Sequence, residues 1–484
     1  MKQTKSEVEN QEYLIPENKG FRIDIFEKIP IIKQIVKSRY YQFTLTFIGL
    51  FVFFIVILGG FIGTPIGNRN IAIVLIWIFW WFLLISILVP FLGRFWCSMC
   101  PLPFFGDFFQ RLSLIKVRVG KTGYLRNKIY GLNKKWPKAL NNIWIPNFTF
   151  LTLCSFSAVL ITRPVVSSIV LGGMLLVATF FGLVFNLRTF CRHVCPVSGF
   201  IGLYSKASML ELRSKDKIVC EKCTEKGCFR GNEKGWGCPW SEYMGKMDRN
   251  NNCGLCMECV KTCPNDNIAL NIRPFSIERN IKGLDESWKA FIDVGTSHAY
   301  SMIYLGASGK LKDWVNAAES GDWVGFFTYV VALWLFSLVV VPGIFYLLSL
   351  MIRKLSNTKT ISVKEIFIAY SYILIPLGLM AWIAFSIPLI LINGSYVISI
   401  FSDPFGWGWD LFGTANFHWQ PFIPDYIGFI QIALLLIGLG YAIHNGFFIG
   451  QQLFNSAKAA FRGLIPIAVF STMIVIAFIL FFLG

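Results

Sequence analysis

The densest chemistry in the chain is the run Cys253-x2-Cys256-x2-Cys259-x3-Cys263-Pro264. Three thiolates at this spacing can wrap three corners of an iron–sulfur cubane within one tight loop. The fourth Cys, followed by Pro, points away to serve a second cluster. Zinc prefers paired knuckles to four cysteines in eleven residues, and disulfides are rare in the cytosol. Upstream, Cys220-x2-Cys223-x4-Cys228 and then Cys238-Pro239 form an expanded version of the same run, with Gly227, Gly231, Gly235 and Gly237 in the insertions. Crossed ligation sets Cys220, Cys223, Cys228 and Cys263 on one [4Fe–4S] cluster and Cys253, Cys256, Cys259 and Cys238 on the other. The widened spacing leaves a second option open, in which Cys238 closes the cluster of its own run.

Two further motifs sit at the ends of apolar stretches. One is Arg94-Phe-Trp-Cys97-Ser-Met-Cys100-Pro101, the other Arg188-Thr-Phe-Cys191-Arg-His-Val-Cys195-Pro196. Each follows a pair of apolar segments, so the first 200 residues read as two copies of a hairpin followed by a Cys pair and Pro. Four thiols at one membrane face are the right number for a third Fe–S cluster, with Arg94, Arg188 and Arg192 to offset its charge. A metal-free dithiol relay and plain packing are the alternatives. Cys154, alone in an apolar segment, reads as an inert buried thiol.

The elements that must hold these cysteines are membrane helices. Only 15% of the residues are charged and 55% are hydrophobic, whereas a soluble chain carries about a quarter charged residues. No charge lies between Arg39 and Arg69, Arg69 and Arg94, Lys138 and Arg163, or Arg163 and Arg188. About 20 apolar residues cross the hydrocarbon core as helix, which predicts spans near 42–63, 71–92, 145–162 and 167–187. A second group is expected near 323–349, 366–393, 426–448 and 463–483. The fold class is therefore mainly α: a polytopic helical membrane protein of about eight spans with an inserted α+β, two-cluster ferredoxin-like domain. The divisions are 1–41, an N-terminal cytoplasmic segment; 42–200, four helices with the two Cys-pair-Pro motifs; 201–285, the ferredoxin-like domain; 286–322, a connector; and 323–484, four further helices.

The net charge of +18 sits beside the apolar runs, as positive-inside placement requires, and nothing in it calls for nucleic acid. Lys28 to Arg39 holds four basic residues and no acid, and Arg94 to Lys138 holds ten against Asp107 alone. The cysteine domain is thus expected on the cytoplasmic side of a prokaryotic membrane, the first span serving as an uncleaved insertion signal. Eight spans then put Arg353, Lys354, Lys359 and Lys364 outside and the loop of Asp403 and Asp410 inside, against the rule. A crossing by the charge-free stretch 294–309 would repair this, but that stretch reads as too short and polar.

Twin membrane Cys-Pro motifs followed by a ferredoxin domain resemble the NosR/NapH/CcoG-type membrane polyferredoxins of prokaryotes. The matching residues are Cys191-Arg-His-Val-Cys195-Pro196, the shortened Cys97-Ser-Met-Cys100-Pro101, and Cys253 to Pro264. The resemblance covers about residues 40–280 and implies electron transfer between a quinol pool or cytoplasmic donors and partner redox proteins. It also suggests one rival, a cupric or other metal-ion reductase using the membrane cysteines; an Fe–S sensor or assembly factor is a second, independent alternative. The chain departs from NosR-like members in having no FMN-binding region before the first span and in carrying four further helices.

The rest of the sequence offers less. His193, between two cysteines, is a candidate for tuning a cluster or moving a proton, with a loop imidazole as the plain reading. The aromatic loop Asp403 to Trp419 reads as an interfacial anchor or a quinone headgroup site with Asp410 and His418 as polar partners. His418 and His444 are separated by roughly 28 Å of helix, too far to face each other across one haem; His298 reads as structural. No charge is expected in the centre of any span, which argues against a buried proton relay.

Overall fold

The computed structural model describes residues 21–117, 131–305, 309–358 and 360–483. The first twenty residues of the N-terminal segment, the basic residues between 118 and 130, and Lys359 lie outside the described residues. Among the described residues, seven helices are long and apolar enough to cross a membrane: Tyr40–Ile62, Ile71–Leu92, Pro164–Val184, Trp323–Leu355, Val363–Asn393, Pro424–Phe454 and Ala457–Phe482. The span expected at 145–162 is instead two shorter helices, Trp144–Ser155 and Ser157–Thr162, interrupted at Phe156 (φ −96°, ψ 12°). The Ser155 hydroxyl donates back to Leu151 O at 2.8 Å and accepts from the Trp334 indole at 3.1 Å. Back-bonding of this kind bends helices.

The expected connector 286–322 requires a larger correction. Leu284–Tyr300 is a helix that continues as a π-helical turn, Ser301–Leu305, through the interior of the bundle. Its start is tied to the cysteine end, where Asp285 accepts from Ile143 N (2.9 Å) and Asn147 Nδ2 (2.8 Å). Its far end meets the opposite side: Tyr304 Oη lies 3.0 Å from Ser157 Oγ, and beyond it Arg163 donates to Ala318 O (3.3 Å). The chain therefore passes from one end of the bundle to the other here, and every later helix is reversed relative to the eight-span expectation. Tyr372, near the start of Val363–Asn393, bonds Ser276 of the cysteine domain at 3.1 Å, so the Arg353 and Lys364 loop lies at the cysteine end. The aromatic loop lies at the other end, where Thr64 N donates to Phe405 O (2.8 Å) and Ile71 N to Pro404 O (3.0 Å). The loop charges then obey the positive-inside pattern. The helix escaped detection because its neighbours shield it from lipid, so it need not be apolar all round.

Val363–Asn393 is the central post: 83% of its apolar window is buried, against 28–33% for the other six long helices. Its Trp382 makes edge contacts with Trp81 (5.4 Å), Phe200 (5.5 Å) and Tyr300 (5.5 Å), each contact worth about 0.5–1.5 kcal/mol beyond area burial. The cysteine domain rests on a three-stranded antiparallel sheet, β1 (Ile23–Asp24), β2 (Leu210–Ser214) and β3 (Ile268–Ile272), in the order β1-β3-β2. Phe26 and Val36 from the N-terminal segment pack with Leu212, Ile268 and Leu270 beneath it.

Labels placed at Asn357 and at Phe412 should report opposite sides of the membrane to an impermeant reagent. Labelling of both from one side would remove 284–305 as a crossing.

Candidate iron–sulfur sites

The two Cys-pair-Pro motifs are built alike. Cys97 and Cys191 lie on short helices, Trp96–Met99 and Thr189–His193, that follow a hairpin, and Cys100 and Cys195 follow in extended backbone (φ −60°, ψ 129° and φ −60°, ψ 120°). Proline excludes the helical region for the residue before it, so Pro101 and Pro196 set both cysteines in the same posture. Gly93 ends the second span at φ +61°, where a Cβ would meet Ser208 Oγ at 2.9 Å. Gly49 of the first span lets the chain approach closely, since a Cβ there would stand 2.5 Å from Met99 O. The two motifs meet. Cys97, Cys100, Cys191 and Cys195 lie within electrostatic reach of one another, and burial followed by these neighbours raises Cys100 and Cys191, while burial pushes Cys195 up to about 12.

The eight cysteines from Cys220 to Cys263 fall into two groups. Cys220, Cys223, Cys228 and Cys263 are mutual neighbours. Cys238, Cys253, Cys256 and Cys259 all line one pocket, with Trp240 and Met257 among its other walls. Burial pushes Cys228 up to about 11 and Cys253 up to about 12. Metal ligation would remove such protons outright. All thirteen cysteines are free of disulfides. Among the described residues, no three His, Cys, Asp or Glu are set to hold a single metal ion. The sulfurs accept backbone N–H bonds from residues just ahead in the chain: Ser198 N to Cys195 (3.4 Å), Glu242 N to Cys238 (3.3 Å) and Asn267 N to Cys263 (3.3 Å). Such bonds stabilise negative charge on sulfur and tune cluster potentials.

Arg188 and Arg94 join the groups. Arg188 donates its backbone N–H to Pro239 O (3.1 Å), next to Cys238, and Nη1 to Cys97 O (3.4 Å). Its guanidinium grips Asp107 through Nη2 (2.8 Å) and Nε (3.1 Å). Burial alone would raise the Asp107 carboxyl, but Arg111 and Arg188 outweigh it and hold it below the usual range. Arg94 reaches Cys97 Sγ at 3.8 Å, lies 4.4 Å from the Trp240 ring centroid, and bonds Ser198 Oγ and Asn251 O. The sequence anticipated the arginines but not Asp107 or Trp240, whose roles come from contacts 81 and about 146 positions apart in the chain.

Other expected residues stand apart. His193 is buried and stacks on Trp136 (5.2 Å, 8°); burial, then Arg192, lowers its pKa to about 4, so it is a neutral ring. Asp410 and His418 are exposed and lie at the end of the bundle remote from the thiols. His298 packs against Phe478 (4.6 Å), and His444 faces Arg279 (3.4 Å).

The 4Fe-4S binding domain family matches residues 73–122 and 166–216, the two copies of span and Cys-pair-Pro. Two uncharacterized proteins of Methanocaldococcus jannaschii are similar. One is 25% identical over 259 residues, covering 53% of this chain and 93% of its own. The other is 23% identical over 266 residues, covering 51% and 97%. No solved structure matches. The chain is thus a mainly helical protein with, among the described residues, seven membrane-compatible helices, and two of its segments match the 4Fe-4S binding domain family.

Asp107→Asn strands the buried Arg188 charge and should cost about 3–5 kcal/mol, read as a lower melting temperature in detergent. Because the native carboxyl lies below its unfolded value near 3.9, the pair's contribution is complete above that value. It is lost as pH falls through the native pKa, and Asp107→Asn should flatten this acid limb.

Proposed function

We propose that the chain is a membrane electron-transfer protein holding three [4Fe–4S] clusters. Cys220, Cys223, Cys228 and Cys263 hold one, and Cys238, Cys253, Cys256 and Cys259 hold the second. Cys97, Cys100, Cys191 and Cys195 hold the third, at the membrane. The observation that carries this reading is the sorting of twelve cysteines into three facing groups of four, with Arg188 and Arg94 between the second and third. Bound there, the clusters supply one-electron transfer at potentials set by charge, sulfur hydrogen bonds and exposure. The protein's own part is to exclude water around the sulfurs, place N–H donors on them, and set guanidinium charge where an added electron makes the site more negative.

The basic residues at the cysteine end favour the cytoplasmic side of a prokaryotic membrane for that end. Electrons then pass between a donor docked on the cysteine domain and a membrane quinone or partner redox protein near Cys97 and Cys191. The aromatic loop is an anchor in this scheme. Trp407 bonds Ile62 O (3.2 Å), while Met99 packs at Gly49, so about 20 Å of the first helix separates the loop from the nearest thiols.

Anaerobically purified protein should carry about twelve irons per chain. Cys191→Ser should lower this to about eight while leaving the EPR signals of the cysteine domain in place. Iron near zero after anaerobic handling would sink the reading; about eight in the unaltered protein would remove the membrane cluster alone.

A further inference from the structure

The interior helix carries two ionisable side chains where none was expected. Lys289 and Asp293, one turn apart, have no solvent exposure, and Lys289 Nζ stands 2.7 Å from Asp293 Oδ1. Apart from each other, neither Nζ nor either carboxylate oxygen has a hydrogen-bond partner among the described residues. The surroundings make this unusual. Lys289 Nζ lies 3.5 Å from the Phe150 ring centroid and 5.5 Å from that of Phe200, and Trp382 donates its indole N–H to the Asp293 backbone carbonyl (2.9 Å) rather than to its carboxylate. Tyr204 Oη and Ser337 Oγ are likewise buried without a partner. Ionisable groups at this depth are costly even when paired, and they mark ion or proton pathways.

The titratable groups facing the pair are few. Cys154 faces it from Trp144–Ser155, Tyr204 from Pro196–Tyr204, and Tyr300 from the same helix, with its hydroxyl on Cys154 O (2.9 Å). Tyr329, on Trp323–Leu335, lies by Cys154 and Tyr304 instead, and Tyr372 is bonded to Ser276. Toward the cysteine end, Glu286 is held by Lys206 (2.6 Å) and Arg249 (2.7 Å). Toward the other end the polar positions continue at Thr296, Tyr300 and Tyr304. The four-thiol site is close: Lys289 Cε lies 3.9 Å from where a Gly199 Cβ would stand, and Gly199 N donates to Cys195 O (3.1 Å).

We infer that Lys289 and Asp293 form a proton-exchanging site inside the bundle, which takes up one proton when one electron reaches the neighbouring four-thiol site. The inference rests on the cluster proposed there. The electron comes from the cysteine domain and the proton from solvent at the same end, so net charge within the bundle is unchanged. Neutralising added charge nearby is the physical reason for the linkage.

The test is infrared difference spectroscopy and potentiometry on the full chain in lipid, with dithionite as reductant. A carboxyl band that appears on reduction, shifts in D2O and is missing in Asp293→Asn is expected. The membrane site's potential should fall with pH by a factor of ten in equilibrium constant per unit, about 59 mV for one electron. The double variant Lys289→Met/Asp293→Leu, which leaves no stranded charge, should abolish that slope while retaining iron. A pH-independent potential with no Asp293 band overturns the inference. Should iron analysis find no centre at the four thiols, the redox linkage fails with that reading. A carboxyl band that titrates in unreduced protein and vanishes in Asp293→Asn then upholds the proton site, and its absence refutes it.

Discussion

The buried ion pair between Arg188 and Asp107 holds together what the rest of the molecule is arranged around. Asp107 follows the first Cys pair and Arg188 precedes the second, so their 2.8 Å contact closes the two halves of the repeat on each other. The same arginine donates its backbone N–H to Pro239 O, which binds the cysteine domain to that junction. Breaking a buried pair costs about 3–5 kcal/mol because the surviving charge has nowhere to go. Here that charge would be left beside buried cysteines. Gln110 reinforces the joint by donating to Gly182 O, Phe185 O and Leu187 O, the open carbonyls at and beyond the end of Pro164–Val184.

Charge accounts for the choice of residues around the thiols. A site that gathers thiolates is strongly negative, and an apolar setting alone would make reduction harder still. Arg94 and Arg188 answer this from opposite sides, and the N–H groups of Ser198, Glu242 and Asn267 answer it at the sulfurs themselves. Arg94 does so while stacked on Trp240, which keeps its weakly hydrated planar head in a dry position. Lysine would not substitute well there, since it presents a point charge and no plane to stack.

Much of this was legible in the sequence, and the parts that were not share a cause. The seven long helices among the described residues follow from charge-free runs. Convergence of Cys97 with Cys191 was inferable only from the repeat, because about 94 residues separate them. The helix at 284–305 was missed because Lys289 and Asp293 break its apolar run, and hydropathy reads exposure to lipid rather than depth in a bundle. A signal did exist: the reversed charges of Arg353 and Asp403 required one more crossing, and the stretch 294–309 was the only segment able to supply it. The polarity weighed against that stretch was itself the informative feature.

The second block of helices acquires a physical role from this. Electron transfer among the cysteine groups needs none of Trp323–Leu355, Val363–Asn393, Pro424–Phe454 or Ala457–Phe482, since every thiol group lies in the first 263 residues. Three of these helices, Trp323–Leu355, Val363–Asn393 and Ala457–Phe482, pack on 284–305. Trp382 and Phe345 seal it from two sides, and Ser337 packs at Gly295, where a Cβ would stand 2.6 Å from its hydroxyl oxygen. Burying Lys289 and Asp293 costs several kcal/mol per ion, which their 2.7 Å contact offsets only in part. A scaffold needing only stability would have replaced both with leucine. Helices built around such a pair imply that it is kept for its charge, and the nearest use for charge is at Cys195, one helical turn before the Gly199 on which Lys289 packs.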